Sequence, residues 1–322
     1  MIIKTCKVLY YSLALFFFLI KERVKTFKNL KFIEVDFSRF GGSSYFIEGF
    51  ILLKKNKKIK DFENYLFFSS FKTCNKQLKL MALRILNISE FNWFFIYLKK
   101  ASIFWKKKEE IFQRPNWNLD YVIKNETEIE YSSSNYRFTE SEILKGKKLL
   151  REFGLSKNDK WVCLHNRDDK YLSSEFSKTD FTYHNHRDFK IENLTGAAEI
   201  FTKNNFFVFR IGKKQSKKFN CSNFNKKVID YAYSNKRSDF LDMYLLGNCE
   251  FFFGGDSGTK TIALSFLKPC YGVNWSPMLL YNEPGFFMKF KSKFHPWLFM
   301  FKRIRCLESG KKLSLQEILK NK

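Results

Sequence analysis

Phe251-Phe252-Phe253-Gly254-Gly255-Asp256-Ser257-Gly258-Thr259-Lys260 is the stretch that decides the fold. Three apolar aromatic residues fit a short buried strand, and the glycines after them mark a tight turn. Residues 259–267 then carry a helical pattern, and Pro269 leads into a further apolar strand at 270–273. Reading backwards from the turn, Ser238 stands where it can cap a helix over 239–247. Before it lie apolar strands at 228–232 and 206–211, the latter ending at Gly212, and a helix over 193–203. Trp161 opens another strand, 161–164, which ends in His165-Asn166-Arg167-Asp168. Upstream, Thr139 with Glu142 three residues later forms a capping-box pattern for a helix that stops at Gly154. Strands alternating with helices at this spacing imply an α/β fold with a parallel, doubly wound sheet.

The first half is fainter. Residues 32–37 and 65–69 suggest strands, 45–53 and 77–86 helices, and Gly41-Gly42-Ser43-Ser44 a loop. Residues 101–130, with the Lys106-Lys107-Lys108 run and Pro115, mark a connection that ends near Ser132-Ser133-Ser134. The expected organisation is a membrane-surface helix at 1–25, an N-terminal domain at 26–130 and a C-terminal ligand-binding domain at 131–280. A basic, aromatic tail at 281–322 is expected to pack back on the fold.

Lys and Arg number 58 against 32 Asp and Glu, a net charge of +26. Such an excess points to an anionic partner: nucleic acid, a membrane surface or a phosphorylated substrate. No recognised nucleic-acid motif accompanies it, so nucleic acid is not expected as a partner. Residues 8–20 are uncharged and flanked by Lys4, Lys7, Lys21, Arg23, Lys25 and Lys28. They fall short of the roughly 20 apolar residues that span a bilayer. Two readings remain: a helix lying on an anionic membrane surface, and a buried first helix of the domain. The seven cysteines are scattered with no Cys-x-x-Cys pair, which suits a reducing cytoplasm and suggests neither a disulfide framework nor a zinc cluster.

Ligands of a doubly wound sheet bind at the carboxyl ends of its strands, and polar residues gather at those ends here. The Asp256-Ser257-Gly258-Thr259 turn would let backbone approach a diphosphate at the positive end of the following helix, unless Asp256 or Ser257 merely caps that helix. Arg167, Arg210 and Gly212 lie at neighbouring strand ends. A guanidinium there can grip phosphate with two parallel bonds, although Arg167 and Asp168 could equally form a local ion pair. Asp168 or His165 could accept a proton from a hydroxyl, and His186 offers another imidazole within His184-Asn185-His186-Arg187-Asp188. No set of metal ligands is evident and no Asp-x-Asp motif occurs, so neither metal nor cofactor is expected.

Between about Trp161 and Pro277 the chain resembles a bacterial family of glycosyltransferases encoded in surface-polysaccharide gene clusters. The resemblance is carried by His165-Asn166-Arg167-Asp168, His186-Arg187-Asp188, Arg210-Ile211-Gly212, Asp230-Tyr231-Ala232, Ser238-Asp239-Phe240, and Ser257-Gly258 followed by Pro269 and Asn274. It implies a GT-B-like enzyme, with two Rossmann-like domains facing a cleft and no required metal. It further implies a nucleotide-sugar donor and a glycan or lipid-linked acceptor, with the enzyme cytoplasmic and peripheral to the inner membrane. A non-catalytic sugar-nucleotide-binding subunit and a basic nucleic-acid-binding protein are the alternatives.

Overall fold

The computed structural model describes residues 30–59, 65–69, 72–86, 88–89, 92–104, 112–113, 134–222, 224, 226–275, 298–301 and 309–311, with single positions at 12, 13, 16, 17 and 20. The 106–108 lysine run, Pro115, Pro277 and most of residues 8–20 lie outside them. Two compact units divide the chain, Met1–Glu130 and Tyr131–Lys322.

The first unit is built on a four-stranded parallel sheet of β1 (Lys31–Glu34), β2 (Tyr65–Phe68), β3 (Ile88–Ser89) and β4 (Phe112–Gln113), in the order β3-β2-β1-β4. Helices α1 (Phe40–Lys55), α2 (Lys76–Ile85) and α3 (Asn92–Phe104) connect the strands. The period-2 alternation of strands sends Phe32 and Phe68 to one face and Ile33 and Phe67 to the other. On the first face Phe32, Phe68, Phe95 and Phe112 pack ring against ring at 5.1–5.8 Å. On the second, Phe50 of α1 meets Phe67 at 4.8 Å. Each such ring contributes about 1.5–3 kcal/mol on burial, so part of the phenylalanine excess is core. Gly41-Gly42-Ser43-Ser44, expected as a loop, is the first turn of α1. Ser43 and Ser44 are buried, and the Ser43 hydroxyl donates back to the Arg39 carbonyl at 2.7 Å. Small polar residues here serve close packing of a helix start, and tertiary burial overrides their turn preference.

The second unit carries six parallel strands: β5 (Trp161–His165), β6 (Phe207–Arg210), β7 (Val228–Ile229), β8 (Phe252–Gly254), β9 (Cys270–Trp275) and β10 (Leu298–Phe301). Their order is β10-β9-β8-β5-β6-β7. The chain therefore builds outward from β5 to β7, then crosses back and builds outward the other way from β8. Helix α4 (Glu140–Glu152) has the full capping box at Thr139 and Glu142. It ends in a Schellman motif: Leu155 N–H donates to the Leu150 carbonyl, Gly154 N–H to that of Arg151, and Gly154 adopts a φ of +87°. A short helix α5 (Lys170–Glu175) and two 3₁₀ turns, Thr182–Arg187 and Ile191–Leu194, precede α6 (Thr195–Lys203). Val162, Leu164 and Val208 pack with Ile191, Leu194 and Ala198 on the α6 side of the sheet. On the opposite side Phe209 meets Phe153 at 5.6 Å, and the Cys163 thiol reaches the Leu245 carbonyl in α7 (Asp239–Asn248). Helix α8 (Gly258–Ser265) follows β8. Helices thus cover both faces, which explains why β5 and β6 are near-continuous apolar runs.

The strand expected at 228–232 is shorter than its pattern. Asp230 turns out of line to accept from Arg210 Nη1 at 3.0 Å and from Phe219 N–H at 2.8 Å, and a 3₁₀ turn takes Tyr231–Tyr233.

Candidate anion-binding site at the switch point of the second sheet

Strands β5 and β8 are hydrogen-bonded neighbours from which the chain winds in opposite directions, so the crevice beyond their carboxyl ends is the topological switch point. His165, Asn166 and Arg167 leave β5 there, and Gly254 to Gly258 leave β8. The two strand ends come very close. A Cβ on Gly254 would lie 2.1 Å from the His165 carbonyl oxygen, so glycine is obligatory at that position. Gly255 N–H donates to the same carbonyl at 3.0 Å.

The segment after the Thr182–Arg187 turn returns to this junction. Phe189 N–H donates to the Arg167 carbonyl at 3.2 Å, and Asn166 Nδ2 donates to the Phe189 carbonyl at 3.1 Å. Asn274 Nδ2, at the end of β9, reaches the Asp188 carbonyl at 3.3 Å. Neither Arg–Asp pair seen in sequence survives this return. Arg167 is paired with Asp188, while Arg187 reaches Asp256 at 3.4 Å. Asp168 turns away and accepts from the backbone and hydroxyl of Ser216, both at 2.9 Å. The local Arg167–Asp168 ion pair is therefore not formed.

Lys260 completes the cluster. One helical turn beyond Asp256, it donates to that carboxylate at 2.8 Å. Burial alone would raise the Asp256 pKa, but Lys260 and Arg187 outweigh it and hold the carboxyl below its usual range. Three buried or half-buried cations, Arg167, Arg187 and Lys260, thus stand against two carboxylates, Asp188 and Asp256. The imbalance is felt: burial, and next the charge of Arg187, lower the Arg167 pKa to about 10. Arg167 Nη2 and Arg187 Nε are buried donors to which no described residue offers an acceptor. Buried N–H groups of a cation normally find one, at a cost of about 1–3 kcal/mol when they do not.

Helix α8 begins beside these cations. Its N-cap, Ser257, makes no side-chain cap bond, and no acid occupies its first turn. The Ser257 hydroxyl instead meets that of Thr259 at 2.6 Å. Capping by Asp256 or Ser257 is thereby set aside, and the positive end of the helix, with half-buried Ser257 and Gly258 at its tip, stays uncapped by side chains. Asp256 itself, a carboxylate, cannot attract phosphate; its work is to hold Arg187 and Lys260.

Two expected ligand residues, Arg210 and Gly212, are engaged in bonds within the protein. Arg210 is completely buried: Nη1 binds Asp230, and Nη2 binds Asn166 Oδ1 at 3.2 Å, Gln215 Oε1 at 3.0 Å and the Lys217 carbonyl at 3.1 Å. Gly212 follows it, and its carbonyl accepts from Arg237 Nε at 3.2 Å. The proton-acceptor candidates also divide. His165 is buried, and its Nδ1 meets the Ile211 carbonyl at 2.8 Å, which requires Nδ1 to carry the proton. Burial lowers its pKa to about 4, leaving a neutral imidazole that is a feeble base. Both Asp168 oxygens accept hydrogen bonds from Ser216 and the Lys170 N–H, so its carboxylate anchors a loop. His186 is exposed, with Nδ1 2.8 Å from the Tyr183 carbonyl of its own turn. The sequence offers Arg187 and Asp188 as a second Arg–Asp pair, and gives Lys260 no role. The spacing of Asp256 and Lys260, four apart at a helix start, was the available signal for it. Among the described residues no three His, Cys, Asp or Glu gather in a metal-holding group.

No protein-family model matches the chain, and no curated protein resembles it in sequence at a significant level. Solved structures do. The E. coli ADP-heptose lps heptosyltransferase II superposes with a TM-score of 0.52 at 10% identity, covering 90% of this chain and 97% of that one. A glycosyl transferase family 9 protein from Veillonella parvula gives 0.47 at 9% identity, covering 85% and 86%. The E. coli heptosyltransferase WaaC with ADP gives 0.43 at 9% identity, covering 91% and 96%. The first of these likenesses assigns the fold: GT-B-like, with two Rossmann-like α/β units.

Proposed function

We propose that the chain is a glycosyltransferase that moves a sugar from a nucleotide-sugar donor to a glycan or lipid-linked acceptor in surface-polysaccharide synthesis. The observation that carries this reading is the pair of buried guanidinium donors without an acceptor among the described residues, Arg167 Nη2 and Arg187 Nε, beside the uncapped start of α8 at the switch point. A donor diphosphate supplies the acceptors and the negative charge that the cluster lacks. As the glycosidic bond breaks, charge grows on the departing phosphate, and Arg167, Arg187, Lys260 and the α8 amides stabilise it without a bound metal. Residues 26–130 form the acceptor side. Of the three proton-acceptor candidates His186 is the exposed one, and it keeps that role. The shared fold supports the class of reaction, since a fold-mate is named as a heptosyltransferase.

Attachment to the inner membrane face belongs to the same proposal. Leu13 and Phe16 are exposed, whereas Phe17 packs at 5.9 Å against both Phe32 and Phe94. One side of this segment therefore joins the core and another presents apolar side chains toward an anionic surface. Among the described residues no helix is long and apolar enough to cross a membrane.

Screening nucleotide-sugars by thermal shift, then assaying hydrolysis and transfer of the best one, tests the function. Stabilisation and turnover by one nucleotide-sugar are expected; a folded protein indifferent to all of them would overturn the proposal. Binding without turnover would support a donor-binding subunit, a second reading favoured by the engagement of His165 and Asp168 in structural bonds.

A further inference from the structure

Asp242 lies in the first turn of α7, yet it is not a surface partner for the helix dipole: its side chain is 4% exposed. One carboxylate oxygen receives Arg237 Nη2; the other, Oδ1, has no hydrogen-bond partner among the described residues. The neighbouring Tyr231 hydroxyl is committed to Ser238, accepting from its N–H at 3.0 Å and donating to its carbonyl at 3.1 Å. The groups that face Asp242 are Arg237, Tyr231, Asp239 of its own helix, and Lys213 of the loop after β6. A half-satisfied buried carboxylate weakens a fold, and a neutral amide of the same size would fit.

The charge acts through Arg237. While Nη2 is held by Asp242, Nε donates to the Gly212 carbonyl at 3.2 Å. Gly212 begins the loop 212–218, which is also tethered by Arg210, which binds Gln215 and the Lys217 carbonyl, by Asp168, which binds Ser216, by the Tyr233 hydroxyl, which donates to the Gln215 carbonyl at 2.6 Å, and by the Lys214–Glu175 ion pair. Arg210 and Asp168 reach from the ends of β6 and β5. Arg237 is the tether at the loop's first residue, and it comes from the start of α7. We propose that Asp242 is a positioning residue for the switch-point anion site, fixing Arg237 on the Gly212 carbonyl and so holding the lysine-rich loop 212–218 against the strand ends.

The inference rests on the proposed donor site for its ligand arm only. Burial pushes the Asp242 carboxyl up to about 6, with Arg237 opposing. Protonation below that pH removes the charge that orients Arg237, so the tether slackens in mildly acid solution. A purely structural aspartate would not couple loop mobility to pH in this window.

The test is hydrogen–deuterium exchange of peptide 212–218, corrected for intrinsic rates, at pH 7.5 and 5.5 in the wild type, Asp242→Asn and Arg237→Gln. Calorimetric titration with inorganic pyrophosphate accompanies it in the same proteins at both pH values. The wild-type loop is expected to exchange at least about fivefold faster at pH 5.5, and both variants to exchange fast at both pH values. Pyrophosphate affinity should be at least about fivefold weaker in the variants at pH 7.5 and nearer to wild type at pH 5.5; comparing proteins at one pH cancels titration of the ligand. Arg237 is partly exposed, so its variant keeps the test open should Asp242→Asn fail to fold. Folded variants with wild-type loop protection at both pH values would overturn the proposal. Loop exchange that responds as expected in a protein that binds no pyrophosphate would instead count against the donor site and leave the tether standing.

Discussion

Arg167 and Arg210 stand at adjacent strand ends in sequence pattern, yet they differ in what their nitrogens still lack. Arg167 retains a buried donor that no described residue bonds, whereas the guanidinium of Arg210 is spent on Asn166, Gln215, Lys217 and Asp230. Arg167→Lys keeps the charge and loses the planar fork. It is expected to lower turnover more than about tenfold, roughly 1.4 kcal/mol, with a smaller change in donor affinity and an unaltered unfolding curve. Wild-type turnover in that variant would move the leaving-group contact elsewhere. Arg210→Lys should instead lower stability by about 3 kcal/mol in denaturant titration, since it strips several buried acceptors of their donor. An unchanged midpoint would contradict the scaffold role. His165 gives a pH signature. Its folded pKa, about 4, is below the ordinary value of 6.5, so the unfolded chain binds the proton more tightly. Stability from this group is complete above pH 6.5 and is lost as pH falls toward 4, on the order of 3 kcal/mol. Asp242 works oppositely: with a raised pKa its contribution weakens as pH climbs from about 4 to about 6. The stability–pH curve of His165→Asn should therefore slope more steeply downward than that of the wild type as pH rises from 4 to 6.5. Parallel curves would mean that His165 is not the buried neutral group described.

At the scale of elements, the parallel sheet of the second unit was legible because β5, β6 and β8 are apolar runs that end in glycine or in clustered polar residues. Thr139, Gly154 and Ser238 each carry the side chain, or lack of one, that a helix end needs. The misreadings have a common cause. Gly41-Gly42-Ser43-Ser44 has turn composition, but it is helix, with Ser43 and Ser44 buried. The β7 pattern continues to Ala232, but Asp230 is drawn aside by Arg210. Both outcomes depend on partners distant in sequence, which local pattern does not record. The same limit hid the Arg167–Asp188 and Arg187–Asp256 pairs, because adjacency favoured Arg167 with Asp168. The N-terminal segment allows an element-scale test. Replacing exposed Leu13 and Phe16 together by Ser should release the protein from anionic vesicles in a sedimentation assay while leaving its melting temperature within a few degrees. Retention on the vesicles would remove these side chains from membrane contact.

For the molecule as a whole, two α/β units with the GT-B-like fold give the framework, and the charge of +26 gives a general attraction for anions that is screened by salt. General attraction does not distinguish a diphosphate site from a basic surface. The switch point does, because its cations are buried or half-buried, held by carboxylates and, among the described residues, short of acceptors. Isothermal titration of nucleoside diphosphates against the corresponding nucleosides, in the wild type and in Arg187→Ala, addresses that distinction directly. One nucleoside diphosphate is expected to bind at least about 100-fold more tightly than its nucleoside at physiological salt, and to lose more than about tenfold in affinity in folded Arg187→Ala. Equal affinity of nucleoside and diphosphate, or binding untouched by loss of Arg187, would contradict a diphosphate site at the switch point of the second sheet.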